Sequence, residues 1–380
     1  MTLPDARRRR GKVHALAVML AILLAFASCA TSAPPAPLFQ VYNPFRLPDP
    51  EAQPTPIAAT PDGTIWFSEL SSNSNIGRIT ARSGLTVLPL PAPRAPIALT
   101  PGPDGALWYA AQGNEIGRLS PDGALTAFPI QHPGYTTSPS GESEVDLQDL
   151  TTGPDGALWF TAASLSFAPN YGAIGRITTS GVVTWFPVPD KDGSPVSIVT
   201  ATDGALWFTE PGANAIGRLT TAGGFTSFAV PTAKSFPYRI TPGPDGALWF
   251  TEHDTSRIGR ITLQGKITEY IIPDGGAPWG IVAGPDGALW YTEKYGPELG
   301  RVSVRGVFTS LKASVSGFYG GGEHQDAPVD PRGITRAPSG ALWFTEAGKN
   351  QVVCIGFTRH SCFASAQPSP TPAPTLSATP

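Results

Sequence analysis

A short phrase, Asp-Gly-Ala-Leu-Trp, recurs along this chain and constrains its fold more than any other feature. Copies begin at Asp62, Asp104, Asp155, Asp203, Asp245 and Asp286, the first with Thr and Ile at its third and fourth places, and a seventh begins at Ser339. The starts lie about 40 to 55 residues apart, the length of one four-stranded propeller blade with its turns. In the fifth copy, residues 238–242 read as a first strand and Gly243, Pro244, Asp245 and Gly246 as a tight turn. In that turn Pro presets φ, Asp bonds back to the backbone and Gly accepts a positive φ. Residues 247–251, 257–262 and 266–272 supply three more strands, the last alternating polar and apolar. No stretch of the repeat carries a helical period. The fold class is therefore all-β, a seven-bladed β-propeller. The seventh copy has no fourth strand of its own, whereas residues 38–48 form a strand-like run with no copy before it. The expectation is that this N-terminal strand closes the last blade and hides two edges.

The segment before the repeat reads as targeting rather than structure. Arg7 to Arg10 and Lys12 form a positive start, residues 15–27 an apolar run too short for a permanent span, and Phe26, Ala27, Ser28 and Cys29 resemble a bacterial lipobox. On this reading residues 1–28 are a lipoprotein-type signal peptide, Cys29 is lipidated, 29–37 are a Pro/Ala tether and 38–366 are the propeller. The protein is then exported and held on the extracytoplasmic side of the cell membrane by its lipid; ordinary cleavage and secretion is the alternative. Of three cysteines, Cys354 and Cys362 remain, and export favours a disulfide between them. Two free thiols are the alternative. Residues 367–380, rich in Pro, Ser and Thr, have nothing to bury and read as a disordered tail.

Charge narrows the partners. With a net charge of -3 and only 14% charged residues, the chain carries no electrostatic footprint for nucleic acid. The membrane is met through the lipid alone, and a monomer is expected. The 42 Gly and 42 Pro fit a chain of many turns and short strands.

The full unit, with Pro278, Trp279, Gly280 and Ile281 before the turn Gly284 to Gly287, and Ile258, Gly259 and Arg260 in the third strand, resembles the streptogramin B (virginiamycin B) lyase family over roughly residues 38–357. The resemblance implies a seven-bladed propeller with its site over the central channel. It also implies a magnesium-dependent carbon–oxygen lyase that opens cyclic depsipeptide esters by elimination. In that family the residue after the Pro that opens a blade is His in the last two blades and Tyr in the first. Here the matching positions read as Trp279, Arg332 and Ile57. The acidic metal ligands match Asp330 and, less closely, Glu346, so magnesium or another divalent cation has a candidate pair. Elimination needs a base for the α-proton, and Arg332 stays protonated.

Other residues offer substitutes. Tyr238, Arg239, Trp279 and Arg332 stand before first strands, where a ligand at the channel mouth would meet them; such a ligand is a small molecule, a peptide or a glycan. Trp279 offers a platform for a ring or sugar. Glu69, Glu210, Glu252, Glu293 and Glu346 follow second strands and would form a carboxylate rim. Either that rim holds a cation, or each Glu pairs with a third-strand Arg such as Arg260. Glu252 and His253 form the best remaining acid–base pair, with an exposed loop His as the plain reading. His324, in the long Gly-rich loop before the last blade, is a displaced base if that loop acts as a lid, and a surface residue otherwise. Two functions remain open: a binding or interaction propeller without the family's His chemistry, favoured by the missing His pair, and a metal-dependent lyase on an ester or depsipeptide.

Overall fold

The computed structural model describes residues 39–42, 44–70, 74–91, 94–131, 146–163, 172–190, 192–273, 275–294, 299–311, 330–357 and 362–363. The signal segment, Cys29, the tether, the loop that carries His324, and the tail lie outside them. The described residues form seven antiparallel sheets, six of four strands and a seventh completed from the N-terminus. Blade 5 is typical, with strands Pro237–Pro242, Leu248–Glu252, Arg257–Ile261 and Ile267–Ile271 in that order from the channel outward. In blade 7, Pro331–Arg336, Leu342–Glu346 and Gln351–Phe357 are joined by Phe39–Val41 and Phe45–Arg46, both antiparallel to the third strand. The expected N-terminal closure is therefore present. The Cys354–Cys362 disulfide is present too, with Cα atoms 6.0 Å apart.

The repeated residues explain the blade. In the turn of blade 5, Gly246 takes φ 75°. The Asp245 carboxylate accepts the indole N–H of Trp249 at 3.0 Å and Arg260 Nε at 2.7 Å. In blades 2 to 5 the Trp is fully buried and stacks on an aromatic ring of its own blade's outermost strand: Trp108 on Phe128, Trp159 on Phe186, Trp207 on Phe228, Trp249 on Tyr270. In blade 7 that ring comes from the N-terminal strand, as Phe45 beside Trp343. The Gly of the third strand is needed because the far end of the second strand's Phe or Tyr ring fills the space a side chain would take; a Cβ at Gly259 would overlap Phe250. Apolar clusters run from blade to blade, one joining Phe67 of blade 1 to Trp343 and Val352 of blade 7, so the ring is closed by core packing as well as by hydrogen bonds.

Candidate functional site at the channel mouth

The innermost strands all start at the same end of the channel, and register fixes which residues are equivalent. Pro54, Pro237, Pro278 and Pro331 lie opposite Glu69, Glu252, Glu293 and Glu346. Thr55, Tyr238, Trp279 and Arg332 therefore share one position. Pairing places Ile97 and Gln148 there in blades 2 and 3, and Val196, whose N–H donates to Thr209 O, in blade 4. The repeat pattern sets Ile57 at this place in blade 1. The register corrects it to Thr55: Ile57 pairs with Phe67, as Ile281 pairs with Tyr291, one level deeper. A shift of register follows this position in the innermost strands of blades 1, 5, 6 and 7, and such bulges re-aim side chains.

All seven residues line one cavity of about 430 Å³, together with Pro56, Leu70, Gln112, Asp146, Leu147 and Arg239. Beneath it the channel narrows through a polar level of Asp149, Ser197 and Arg239 to an apolar ring of Ile57, Leu99, Leu150, Ile198, Ile240, Ile281 and Ile334. On the polar level Asp149 Oδ2 accepts Arg239 Nη1 and Ser197 Oγ, each at 2.9 Å. Burial works against the Arg239 charge, but Asp149 and Tyr238 outweigh it and raise its pKa. Burial also pushes the Asp146 carboxyl up. On one wall Tyr238 and Trp279 meet with ring centroids 4.4 Å apart, and Lys294 Nζ lies 4.9 Å from the Trp279 centroid. The mouth therefore offers an aromatic shelf, two guanidinium groups and amides, in a volume typical of small-ligand sites.

A hydrogen-bond relay that sequence reading missed holds the shelf. The Thr of the second strand accepts from its own innermost strand and donates to the next blade's mouth residue. Thr251 Oγ1 accepts Arg239 N at 3.0 Å and donates to Trp279 O at 3.1 Å. Thr209 reaches Tyr238 O, Thr292 reaches Arg332 O and Thr345 reaches Thr55 O. The signal was the repeated Thr itself, buried without an apolar reason.

The other candidates are placed differently from expectation. The Glu residues form no rim around the channel. Glu69, Glu210, Glu252 and Glu346 are buried, and Glu210 and Glu252 lie on the same strand face as Phe208 and Phe250, which pack between blades. The third-strand arginines do not pair with them either: Arg118, Arg176, Arg218, Arg260 and Arg301 bind the turn aspartates at the opposite end. Glu252 and His253 are not a pair. Glu252 accepts from Thr255 at 3.3 Å, and burial, then the nearby Glu269, pushes its pKa up to about 8. His253 Nδ1 instead meets Asp254 Oδ1 at 2.7 Å, with its ring beside Trp279.

The carboxylates matched to the metal do not fit magnesium. Asp330 Oδ2 is held by Arg332 Nε and Nη2 at 2.9 and 2.8 Å, so a guanidinium already supplies the positive charge. Glu346 is buried and bonded to Gln351. Neither lines the cavity. Among the described residues no three His, Cys, Asp or Glu side chains converge as a metal site.

The geometry can now be compared with known proteins. The sequence profile of the virginiamycin B lyase family matches residues 40–144 and 142–361. A solved streptogramin B lyase superposes with a TM-score of 0.70 at 30% identity, over 84% of this chain and 98% of that one. A catalytically inactive histidine-to-alanine variant of virginiamycin B lyase from Staphylococcus aureus, solved with quinupristin, also gives 0.70, at 29% identity over 84% and 99% of the two chains. The virginiamycin B lyase of Nocardia farcinica is 31% identical over 182 residues, which are 43% of this chain and 64% of that relative; the match thus spans less than two thirds of its length. With the profile covering nearly the whole propeller, this chain belongs to the virginiamycin B lyase family.

Proposed function

We propose that this protein is an exported, lipid-anchored propeller that binds a small molecule, or the end of a peptide or glycan, at the channel mouth, and that it lacks the His-based elimination its family resemblance implies. The observation that carries this reading is the set of seven mouth residues: Thr55, Ile97, Gln148, Val196, Tyr238, Trp279 and Arg332. None is an imidazole or a carboxylate. A positioned base contributes about 100- to 10,000-fold to such a step, and Trp279 and Arg332 stand where the resemblance expects one. What the set offers is a stacking surface with Arg239 and Arg332 beside it, suited to a ring that carries a polar or anionic group. The test is a titration of intrinsic tryptophan fluorescence with aromatic acids, glycans and peptides, beside an assay of streptogramin B linearisation with magnesium. Saturable binding without linearisation is expected. Rapid linearisation overturns the reading. The anchor is tested by mass spectrometry of the mature N-terminus, which should be a lipidated Cys29.

One observation favours the second reading, a carbon–oxygen lyase. His253 packs its ring against Tyr238 and Trp279 at the mouth and has its Nδ1 set against Asp254, a partner that would orient a general base; its Nε2 is buried, so a substrate would reach it only on displacement of that aromatic shelf. If linearisation occurs, loss in His253→Ala or in His324→Ala identifies the base.

A further inference from the structure

The chain enters blade 5 through a loop that turns a large ring outward. Phe236, directly before the strand-opening Pro237, is 40% exposed and holds φ at 53°, left-handed backbone that a bulky residue rarely takes. Gln53 has the same conformation before Pro54 in blade 1, and blades 2 and 6 place Ala95 and Ala277 there; blade 5 places an aromatic. The loop is held from both sides. Asn214 Oδ1 of blade 4 accepts the N–H and hydroxyl of the buried Ser235 at 2.7 and 3.0 Å. Glu269, on the outermost strand of blade 5, accepts Thr232 N at 2.9 Å and Thr232 Oγ1 at 3.0 Å. The carbonyls of Ser235 and Phe236 accept Asp254 N and His253 N, each at 3.2 Å. Strained backbone persists where its surroundings over-determine it, and such positions cluster at ligand clamps.

The ring of Phe236 extends the shelf at the mouth. Its centroid lies 6.2 Å from that of Tyr238, with the planes 17° apart, and Tyr238 lies 4.4 Å from Trp279. His253 packs against all three rings, at 5.5 to 6.3 Å. Tyr238 and Trp279 line the mouth cavity and Phe236 stands outside it, so the rings run from the cavity to the rim. The guanidinium groups that line the cavity already have counter-charges, Arg239 in Asp149 and Arg332 in Asp330. They still offer N–H donors, and the amides of Gln112 and Gln148 on the same wall bring donors and acceptors together. Successive apolar faces edged by mixed donors and acceptors match a chain of sugar rings, whose faces are C–H and whose rims are hydroxyls. An anionic chain would instead compete with Asp149 and Asp330 for the two guanidiniums.

We infer that Phe236 is the outer subsite of an extended glycan site, in which a chain of uncharged sugars is held at Trp279 in the mouth and leaves over Tyr238 and Phe236. The inference rests on the binding function proposed for the mouth and narrows it to one ligand class and to a ligand longer than a single ring.

The experiment is isothermal titration calorimetry of the full chain. The probes are cello-, malto- and chito-oligosaccharides from monomer to hexamer, an oligogalacturonate series, phenylacetate and a set of aromatic tripeptides. In at least one neutral series the longer members should bind about tenfold or more tighter than the monomer. Phe236→Gly should bring the long sugars to nearly the affinity of the short ones and leave the short ones unchanged, and Phe236→Tyr should keep the dependence on length. Glycine accepts this φ freely, so Phe236→Gly should melt within about 4 °C of the wild type. A larger fall makes Phe236 part of the scaffold and overturns the inference. Binding that does not depend on length, or that Phe236→Gly leaves unaltered, overturns it, as does tighter binding of the anionic series or of the peptides. If phenylacetate binds, Trp279→Ala abolishes that binding and no sugar binds, the binding function of the mouth stands and the glycan site falls. Binding of none of the probes overturns both.

Discussion

The two ends of the blades obey opposite rules. At the turn end, blades 2 to 6 repeat one device: an Asp that accepts an indole N–H at 2.9 to 3.3 Å and an arginine Nε at 2.6 to 2.8 Å. At the mouth end, the seven equivalent positions hold seven different residue types. Identical parts serve the ring, where each blade has the same packing problem. Different parts serve the cavity, where a ligand without sevenfold symmetry has to be met. Blade 7 breaks the rule at the turn end. Ser339 and Cys354 replace the Asp and the Arg, Trp343 Nε1 has no acceptor, and a disulfide leaves from the Arg's register position.

That substitution gives the largest expected effect. If the disulfide does for blade 7 what the Asp–Trp–Arg device does elsewhere, Cys354→Ala with Cys362→Ala should cost about 2.5 kcal/mol, the value for closing a loop of this size. Chemical denaturation of the double variant measures it. A loss below about 0.5 kcal/mol would mean that Phe45 and Phe363, packed on Trp343, already suffice.

Next in size is the device itself. Asp245→Ala removes the acceptor for Trp249 and Arg260 and should cost about 2 kcal/mol, since two charge-assisted bonds go but the pair is partly exposed. Burial works to raise the Asp245 carboxyl; the bonds from Trp249 and Arg260 outweigh it and hold it below the usual range. Its contribution is therefore present above the unfolded value and lost as pH falls through the folded one. Asp245→Asn should flatten the acid side of the stability curve, below the usual carboxylate range, read by urea midpoints across pH.

The buried Glu252 should act with the opposite sign. Its pKa is raised to about 8 by burial and by Glu269, against the opposing effects of Thr255 and Arg257. The folded state then binds the extra proton between about pH 4.5 and pH 8, so stability falls as pH rises through that window. Glu252→Gln should remove this slope and stabilise the protein at pH 8 by about 1 to 2 kcal/mol, with little change at pH 5. Equal melting temperatures for variant and wild type at both pH values would contradict it.

How much was legible follows the same division. Blade count, strand order and N-terminal closure follow from the repeat and from where it fails, because every copy votes for the same turn and the same Trp; the disulfide follows from the cysteine count and the expected export. The mouth was legible only as a set of positions. Their position before first strands marks Tyr238, Arg239, Trp279 and Arg332 as ligand-facing, and they line one cavity, but the pattern points to Ile57 where the structure has Thr55, because a bulge breaks the alternation from which facing is inferred. The Glu rim failed for a different reason. Position after the second strand fixes the end of the blade but not the face, and these side chains turn between blades rather than into the channel. The partners of Arg260 and His253 were unreadable because Asp245 and Asp254 compete with Glu252 for them, and distance alone decides that competition.

The smallest effect on stability should belong to the residue with the largest consequence for binding. Trp279 is half-buried, and its ring touches Tyr238 and His253 rather than the inter-blade core. Its backbone carbonyl, not its side chain, carries the bond from Thr251, so truncation leaves the relay intact. Trp279→Ala should therefore cost no more than about 1 kcal/mol of stability, the worth of one aromatic contact and some area. Loss of a stacking surface should nevertheless weaken any ligand bound at the mouth by about tenfold or more. Thr251→Val is the complementary change: it keeps the ring but removes the donor that fixes its backbone. A ligand titration of the two variants beside their denaturation curves separates the roles. If Trp279→Ala destabilises the fold as strongly as Asp245→Ala, the mouth residue belongs to the scaffold, and the division between the two ends of the propeller fails.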